Sequence, residues 1–420
     1  MCIQMWNVHR FCKGQNSKSI AFKTFWLGET ISLLGSQLSI VALPIIALQG
    51  LGLSTSQYVS LFTSVALVNI ILGIISGLVC DLQRSTTVML VSVAARISCV
   101  FLIVQIFANG HLTLLVLAVL LTLDRSARIL FDSAVNVFIY DTQKDDILSA
   151  TSKIAISQSF TSIVGAAVAG LVITEITIPN AMYLDCISYA IFFCLILFIR
   201  NSVGIPLGTG HKETFLQRFR LGLTAIWEDS KLRALLYLGG NWCLFSAAFE
   251  LLSSVIYVKY LGFNAQELSI QFSLMGGGMF IGNLTLVRLK SSAVVQPRNL
   301  YIAQFAGYFI GVLFVAFYFF GCKNAWAFGV ISFLLGLIYA TRNALSITLR
   351  QENIPLNMSG RINSVFSSLI WIIYPLVGIL VSPASAWIDA PNILFLVSVA
   401  AIVLSLVRTL FVTSTQEQPC

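Results

Sequence analysis

The sequence predicts an all-α integral membrane protein, with twelve transmembrane helices forming two six-helix bundles that are pseudo-repeats of each other. Hydrophobic residues make up 57% of the chain and charged residues only 10%, at a mean hydropathy of +0.89, whereas a soluble globule is about a quarter charged. Apolar runs of about 20 residues, long enough to cross a hydrocarbon core of roughly 30 Å, fill almost the whole length. Leu51-Gly52-Leu53-Ser54-Thr55-Ser56-Gln57-Tyr58 returns as Leu261-Gly262-Phe263-Asn264-Ala265-Gln266-Glu267-Leu268, 210 positions later in a chain of 420 residues. Ser149-Ala150-Thr151 against Ser359-Gly360-Arg361 keeps the same offset. A repeat that holds its register across half a chain points to a duplicated membrane bundle, the architecture of solute transporters.

The first half holds runs at about 26–48, 58–79, 88–108, 112–137, 154–174 and 181–199, and the second at about 234–258, 268–287, 300–320, 325–349, 362–382 and 392–412. Backbone groups in lipid must be satisfied within their own segment, so these runs are expected as helices. The organisation that follows is a cytoplasmic N-terminal segment (1–24), a first bundle (25–199), a cytoplasmic linker with an amphipathic helix (200–233), a second bundle (234–412) and a cytoplasmic tail (413–420). The N-terminal stretch is polar and lacks a small-residue cleavage site before a short apolar core, so no cleaved signal peptide is expected.

Basic residues set the orientation, because Lys and Arg are retained in the cytoplasm. Arg10, Lys13, Lys18 and Lys23 precede the first run, Arg200, Lys212, Arg218, Arg220, Lys231 and Arg233 separate the sixth from the seventh, and Arg288, Lys290 and Arg298 follow the eighth. Loops of opposite parity hold only Lys259 and Lys323. Both termini and the central loop are therefore expected in the cytoplasm, and the net charge of +8 reflects topology. No basic groove interleaved with aromatics argues for nucleic acid. The lipid bilayer, a small-molecule substrate and protons are the expected partners of a monomer.

In the linker, Gly204, Pro206, Gly208 and Gly210 break the hydropathy. Phe215, Phe219, Leu223, Ile226 and Trp227 then recur at three- and four-residue spacing, the pattern of a helix lying on headgroups. A tether between two bundles is its simplest role. Nine cysteines are dispersed without a Cys-x-x-Cys pair, and His9, His111 and His211 are far apart, so no metal site is expected.

The fourth run carries the most informative side chains. Asp124, Arg128 and Asp132 share one helical face, each carboxylate four residues from the same guanidinium, and Arg125 returns near that face seven residues before Asp132. An unpaired charge at mid-bilayer costs roughly 2.5 to 3.5 kcal/mol, so these four must pair or face water. A carboxylate whose Arg is drawn away can take a proton, which makes the ladder a proton-coupling device; a static ion-pair network holding a gate is the alternative. Glu250, in the seventh run, has no base nearby in sequence. It either faces a central cavity or is a buried carboxyl bonded to a neighbouring helix. Its repeat counterpart is Ile40, while Arg342 is the counterpart of Asp132. Arg96 needs a carboxylate, for which Asp124 or Asp132 is available. Glu29 and Asp185 fall within about a turn of a membrane interface, where ionisation is cheap.

Gly77-Leu78-Val79-Cys80-Asp81-Leu82-Gln83-Arg84, between the second and third runs, resembles the Gly-x-x-x-Asp-(Arg)-x-x-Arg loop of the major facilitator superfamily. The resemblance implies that Gly77 lets helices approach and that Asp81 accepts from basic groups or a helix N-terminus. The Arg that usually follows that Asp is Leu82 here, which leaves the gating contact to Arg84. Four more stretches resemble the branch of enterobactin exporters and macrolide-efflux proteins: Phe25 to Gln37, Leu184 to Tyr189, Phe219 to Leu235, and Arg350 to Ser364 with Ile354-Pro355 and Gly360-Arg361. Antiporters of the superfamily often carry Gly-Pro-x-x-Gly-Gly in the fifth helix, where this chain has Gly165-Ala166-Ala167-Val168-Ala169-Gly170. The glycine spacing survives without the proline, so close packing is expected and the kink is in question.

The resemblance implies a secondary active transporter in the inner (plasma) membrane of a bacterium, driven by the proton gradient without a cofactor. Its expected activity is export of an amphipathic small molecule such as a siderophore or a macrolide-like drug, by alternating access. Proton-coupled uptake of a small nutrient is the second reading. A non-transporting membrane sensor or assembly factor is a third, opposed by the retention of costly charges in the bundle. No nucleophile with a base and no metal cluster suggests an enzyme.

Overall fold

The computed structural model describes residues 2–143, 146–200, 215–289, 295–354 and 359–416. The described chain is helical throughout. Helix α1 (Cys2–Ile45) continues through a π-turn at Ile46–Gly50. It is followed by α2 (Thr55–Leu82), α3 (Ser85–Ala108) and α4 (Leu114–Thr142). Helix α5 (Ile147–Phe160) passes through a π-turn at Thr161–Gly165 into α6 (Ala166–Ile176), and α7 (Ile178–Ile199) closes the first half. The second half comprises α8 (Phe215–Glu228), α9 (Ser230–Val255) with a π-turn at Ile256–Tyr260, α10 (Ala265–Leu289), α11 (Pro297–Phe319), α12 (Ala325–Glu352), α13 (Ser359–Trp371), α14 (Ile373–Ala384) and α15 (Ala390–Gln416).

Each expected run falls on one helix or on two joined end to end, and among the described residues nine helical segments are long and apolar enough to cross a membrane. Helix α4 is not among the nine, because Asp124, Arg125 and Arg128 crowd its centre. The polar N-terminal stretch expected as a segment apart from the first span is instead the start of α1.

The repeated octapeptide folds the same way twice. After each π-turn, Leu51 N–H donates to Ile46 O at 2.8 Å and Leu261 N–H to Ile256 O at 2.9 Å. Gly52 (φ 63°) and Gly262 (φ 72°) supply the left-handed residue that lets the chain turn, a conformation costly for any residue with a Cβ. A reciprocal capping box then starts the next helix. Ser54 Oγ accepts from Gln57 N–H while Gln57 Oε1 accepts from Ser54 N–H, and Asn264 and Glu267 repeat the exchange. Thr113, Asp229 and Asn324 cap α4, α9 and α12 with side-chain oxygens.

Contacts divide the chain into two compact units: unit 1 is Met1–Leu43 with Leu67–Gly210, and unit 2 is Pro44–Ala66 with His211–Cys420. The end of α1 and the first turns of α2 thus belong with the second half, unlike the expected division at 200–233. Small residues explain the grouping. Ser56 and Ser60 meet Ser382 hydroxyl to hydroxyl at 3.0 and 2.7 Å, and Gly378 leaves no room for a Cβ beside Thr63.

Helix α8 corrects the reading of a helix resting on headgroups. Ile226 is fully buried in a cluster with Leu232, Leu345, Leu349, Ile362 and Phe366, and Phe219 and Leu223 pack against it. The apolar stripe is covered by protein of unit 2, while Trp227 points away and is 62% exposed. Periodicity reports an apolar face and does not say whether lipid or protein covers it.

Within unit 2, α10 and α12 approach closely. A Cβ on Gly278 would overlap Phe333 O, one on Gly282 would stand 2.6 Å from Leu337 O, and one on Gly336 would overlap Met275 O. Gly278 and Gly282 form a small-x-x-x-small pair that brings backbones together where lipid gives no hydrophobic drive. In unit 1 the packing uses side chains: Gly28 faces Phe192, and Gly35 faces Ser188 and Asp185 on α7.

Candidate functional site

Unit 1 holds a buried polar cluster assembled from four helices. Arg96, on α3, donates from Nε to Asp124 Oδ1 on α4 at 3.1 Å, with both side chains close to nine-tenths buried. Tyr189, on α7, lies face-on to this guanidinium, with Cζ 4.5 Å from the ring centroid. The Tyr189 hydroxyl meets Ser36 on α1 at 2.8 Å. One turn earlier on α7, Asp185 is fully buried, and its carboxylate accepts from Ser39 of α1 and at 3.5 Å from Ser188. Asp185 also interacts electrostatically with both Arg96 and Asp124. Arg96 thus pairs with one carboxylate, Asp124, and has a second, Asp185, in its electrostatic field, in a space that Gly35 keeps open.

This geometry splits the expected ladder. Of the two partners open to Arg96, Asp124 is the one it takes, which removes Asp124 from Arg128. Arg128 pairs with Asp132 at 2.8 Å, with Asp132 half-exposed, and Arg125 is exposed. Four-residue spacing allows both pairings on one helix, but a neighbouring helix offers a better-placed base. Glu29 and Asp185 are not cheap interfacial acids: Glu29 is 4% exposed and sits in the field of Arg128 and Asp132. The correction follows from burial: protein covers Glu29 and Asp185, which makes an ionised carboxylate costly wherever the membrane boundary falls.

Glu250, on α9, is exposed, which disposes of the buried-carboxyl alternative. Tyr58, Cys243 and Tyr339 of unit 2 lie within its electrostatic reach. Its repeat counterpart Ile40 is 40% exposed, so the two halves present matching positions with different chemistry. Arg342, on α12, is buried at 5% exposure; it donates to Leu238 O at 3.0 Å and lies over the Trp242 ring at 5.2 Å.

Gly77 and Asp81 lie in the last turns of α2, so the expected loop narrows to Gln83 and Arg84, the latter extended at the N-cap of α3. Gly360 and Arg361 begin α13, whereas Pro355 falls outside the described residues. Gly165 packs 2.7 Å (as a Cβ) from Gln37 of α1, and Gly170 is buried. The π-turn Thr161–Gly165 breaks the regular ladder there without a proline. Ser36, Ser39, Ser188 and Tyr189 are members of the cluster that sequence reasoning did not assign. The signal was present: Asp185, Ser188 and Tyr189 recur at spacings of three and four, on one face of α7.

The family model of the Major Facilitator Superfamily matches residues 25–378. The chain belongs to this superfamily: it is a multi-pass membrane protein of a transporter family, a class distinct from enzymes. The structure of the nucleoside transporter NupG aligns with a TM-score of 0.70 at 12% identity, covering 92% of this chain and 98% of that one. A bacterial homologue of the iron transporter ferroportin, in an inward-facing state, aligns with a TM-score of 0.71 at 14% identity, covering 92% and 96%. At these identities the likeness concerns the fold. No curated protein sequence matches the chain.

Proposed function

We propose that the protein is a proton-coupled secondary transporter that exports an amphipathic small molecule from a bacterial cytoplasm by alternating access. The observation that carries this reading is the buried Arg96–Asp124 ion pair inside unit 1, with a second buried acid, Asp185, in the field of the same guanidinium. With both acids ionised the group carries one net negative charge, and one proton neutralises it. A buried site that holds one proton without net charge in one state, and prefers to release it in another, is what coupling to a proton gradient requires. The positions and types of these residues support coupling more directly than direction. Export follows from the stretches that resemble enterobactin exporters and macrolide-efflux proteins, and from an irregular fifth span at Thr161–Gly165.

The test is comparative metabolite profiling of cells and medium from a strain lacking the protein, grown with and without iron. A chelator retained inside the mutant only under iron starvation is the expected result for siderophore export. Retention of an added macrolide instead would assign the drug-efflux reading. Depletion of a nutrient inside the mutant, with nothing retained, would replace export by uptake.

A further inference from the structure

We propose that the polar nest around Arg342 in unit 2 is a binding site for an amphipathic organic anion that brings its own hydroxyl or amide donors. The proposal rests on the transporter reading and names the substrate class of that transporter. A guanidinium stays charged at any physiological pH, and burying a charge is costly unless it is paired. Yet among the described residues Arg342 forms no ion pair, and its Nε is buried without a hydrogen-bond partner. Its one hydrogen bond leads to a neutral carbonyl, Leu238 O. Arg96, another buried guanidinium packed on a ring, has a carboxylate, whereas Arg350, less buried and lying over Phe366, likewise shows no ion pair among the described residues and an unpartnered Nε.

The surroundings specify more than charge. Asn241 donates to Ser405 at 2.7 Å, Ser405 lies beside the Tyr308 hydroxyl, and Gln304 donates to that hydroxyl at 2.6 Å. The amide groups of this chain thus spend their donors on protein, while Asn241 Oδ1 and Gln304 Oε1 are buried acceptors with no partner. Trp242 packs against Tyr308 in a tilted pair at 5.9 Å and lies beneath Arg342, an aromatic wall within reach of the charge. A guanidinium lacking an anion, two amide oxygens lacking donors and an indole face together match an aromatic acid bearing a hydroxyl. Asn241, Gln304 and Arg342 are all buried, so loading requires rearrangement within unit 2.

The experiment is equilibrium dialysis of the purified full-length protein in detergent, against empty micelles, with three probes. These are 6-hydroxy-2-naphthoate (anion and donor), 2-naphthoate (anion alone) and 2-naphthamide (neutral). One saturable site per chain is expected, with the hydroxynaphthoate bound about tenfold or more tighter than the amide. Arg342→Gln should weaken both anions by at least that factor, and Asn241→Leu should weaken only the hydroxylated one. If Arg342→Gln does not fold, Arg342→Lys replaces it, with a smaller loss of anion affinity expected because the fork geometry is gone. Equal binding of acid and amide, unaltered affinity in the Arg342 variants, or no saturable binding of any probe up to about 10 mM would overturn the proposal. No gradient or flux enters this measurement. A protein that exports but ignores these anions loses only the site, and one that binds them but moves nothing loses the transport reading instead.

Discussion

Asp132 and Arg342 occupy equivalent positions in the two halves, 210 residues apart, and their environments differ in kind. Asp132 is half-exposed and paired along its own helix with Arg128. Arg342 is buried against Trp242, with an unpartnered Nε. Unit 1 places more acids than bases at its buried cluster, Asp124 and Asp185 near Arg96, while the buried base of unit 2, Arg342, has no ion pair among the described residues. The turns at Leu51–Tyr58 and Leu261–Leu268, by contrast, agree hydrogen bond for hydrogen bond. The comparison separates two kinds of information in a duplicated chain. Backbone instructions, such as a left-handed glycine and a capping box, are the same in both halves because only a few geometries make the turn. Side-chain charge carries no such restriction, so matching positions in the two halves hold different charges in different surroundings.

One comparison tests packing. Gly336→Ala sets a methyl against the Met275 carbonyl of α10, where backbone meets backbone and nothing can rotate aside. Gly35→Ala in unit 1 meets the Ser188 side chain, whose hydroxyl can turn away while its Cβ, 2.7 Å off, must shift. Overpacking typically costs about 1 to 3 kcal/mol, and Gly336→Ala should reach the upper end and Gly35→Ala the lower, read as melting temperatures in detergent. Equal losses would mean that both units close on rigid surfaces.

The next comparison breaks the buried cluster. Arg96→Gln leaves Asp124 and Asp185 without their base, and removing one partner of a buried pair costs about 3 to 5 kcal/mol. Asp124→Asn leaves Arg96 with Asp185 still in its field and should cost less. Proton-driven transport in proteoliposomes should be lost in both. Preserved coupling in Asp124→Asn would reduce the cluster to scaffolding.

The smallest effect belongs to the exposed pair. Asp132→Asn should change stability by no more than about 1 kcal/mol and leave proton-driven transport in place, because its partner Arg128 is itself partly solvated. Loss of coupling in that variant would move the proton site from the Arg96 cluster to the Arg128 pair. That outcome would bring Glu29, buried near both charges, into the mechanism.

Much of this was legible in the sequence because it is set by local rules. Apolar length gave the spans, the repeat offset gave the duplication, and Gly-Leu-Ser-x-x-Gln and Gly-Phe-Asn-x-x-Glu encode their turns within a few residues. The charges of α4 announced a site because lipid penalises each one. Tertiary structure decided which charges meet. Asp124 has two bases within reach, Arg128 on its own helix and Arg96 on another, and only the packing of α3 against α4 selects between them. The same holds for Asp185, whose importance depends on Ser39 and Arg96, more than 80 residues away in sequence. It holds also for α8, whose stripe needed a neighbour to show whether protein or lipid covers it. Periodicity and hydropathy are properties of one segment, whereas an ion pair or a buried face is a property of two, and the second partner is chosen by the fold.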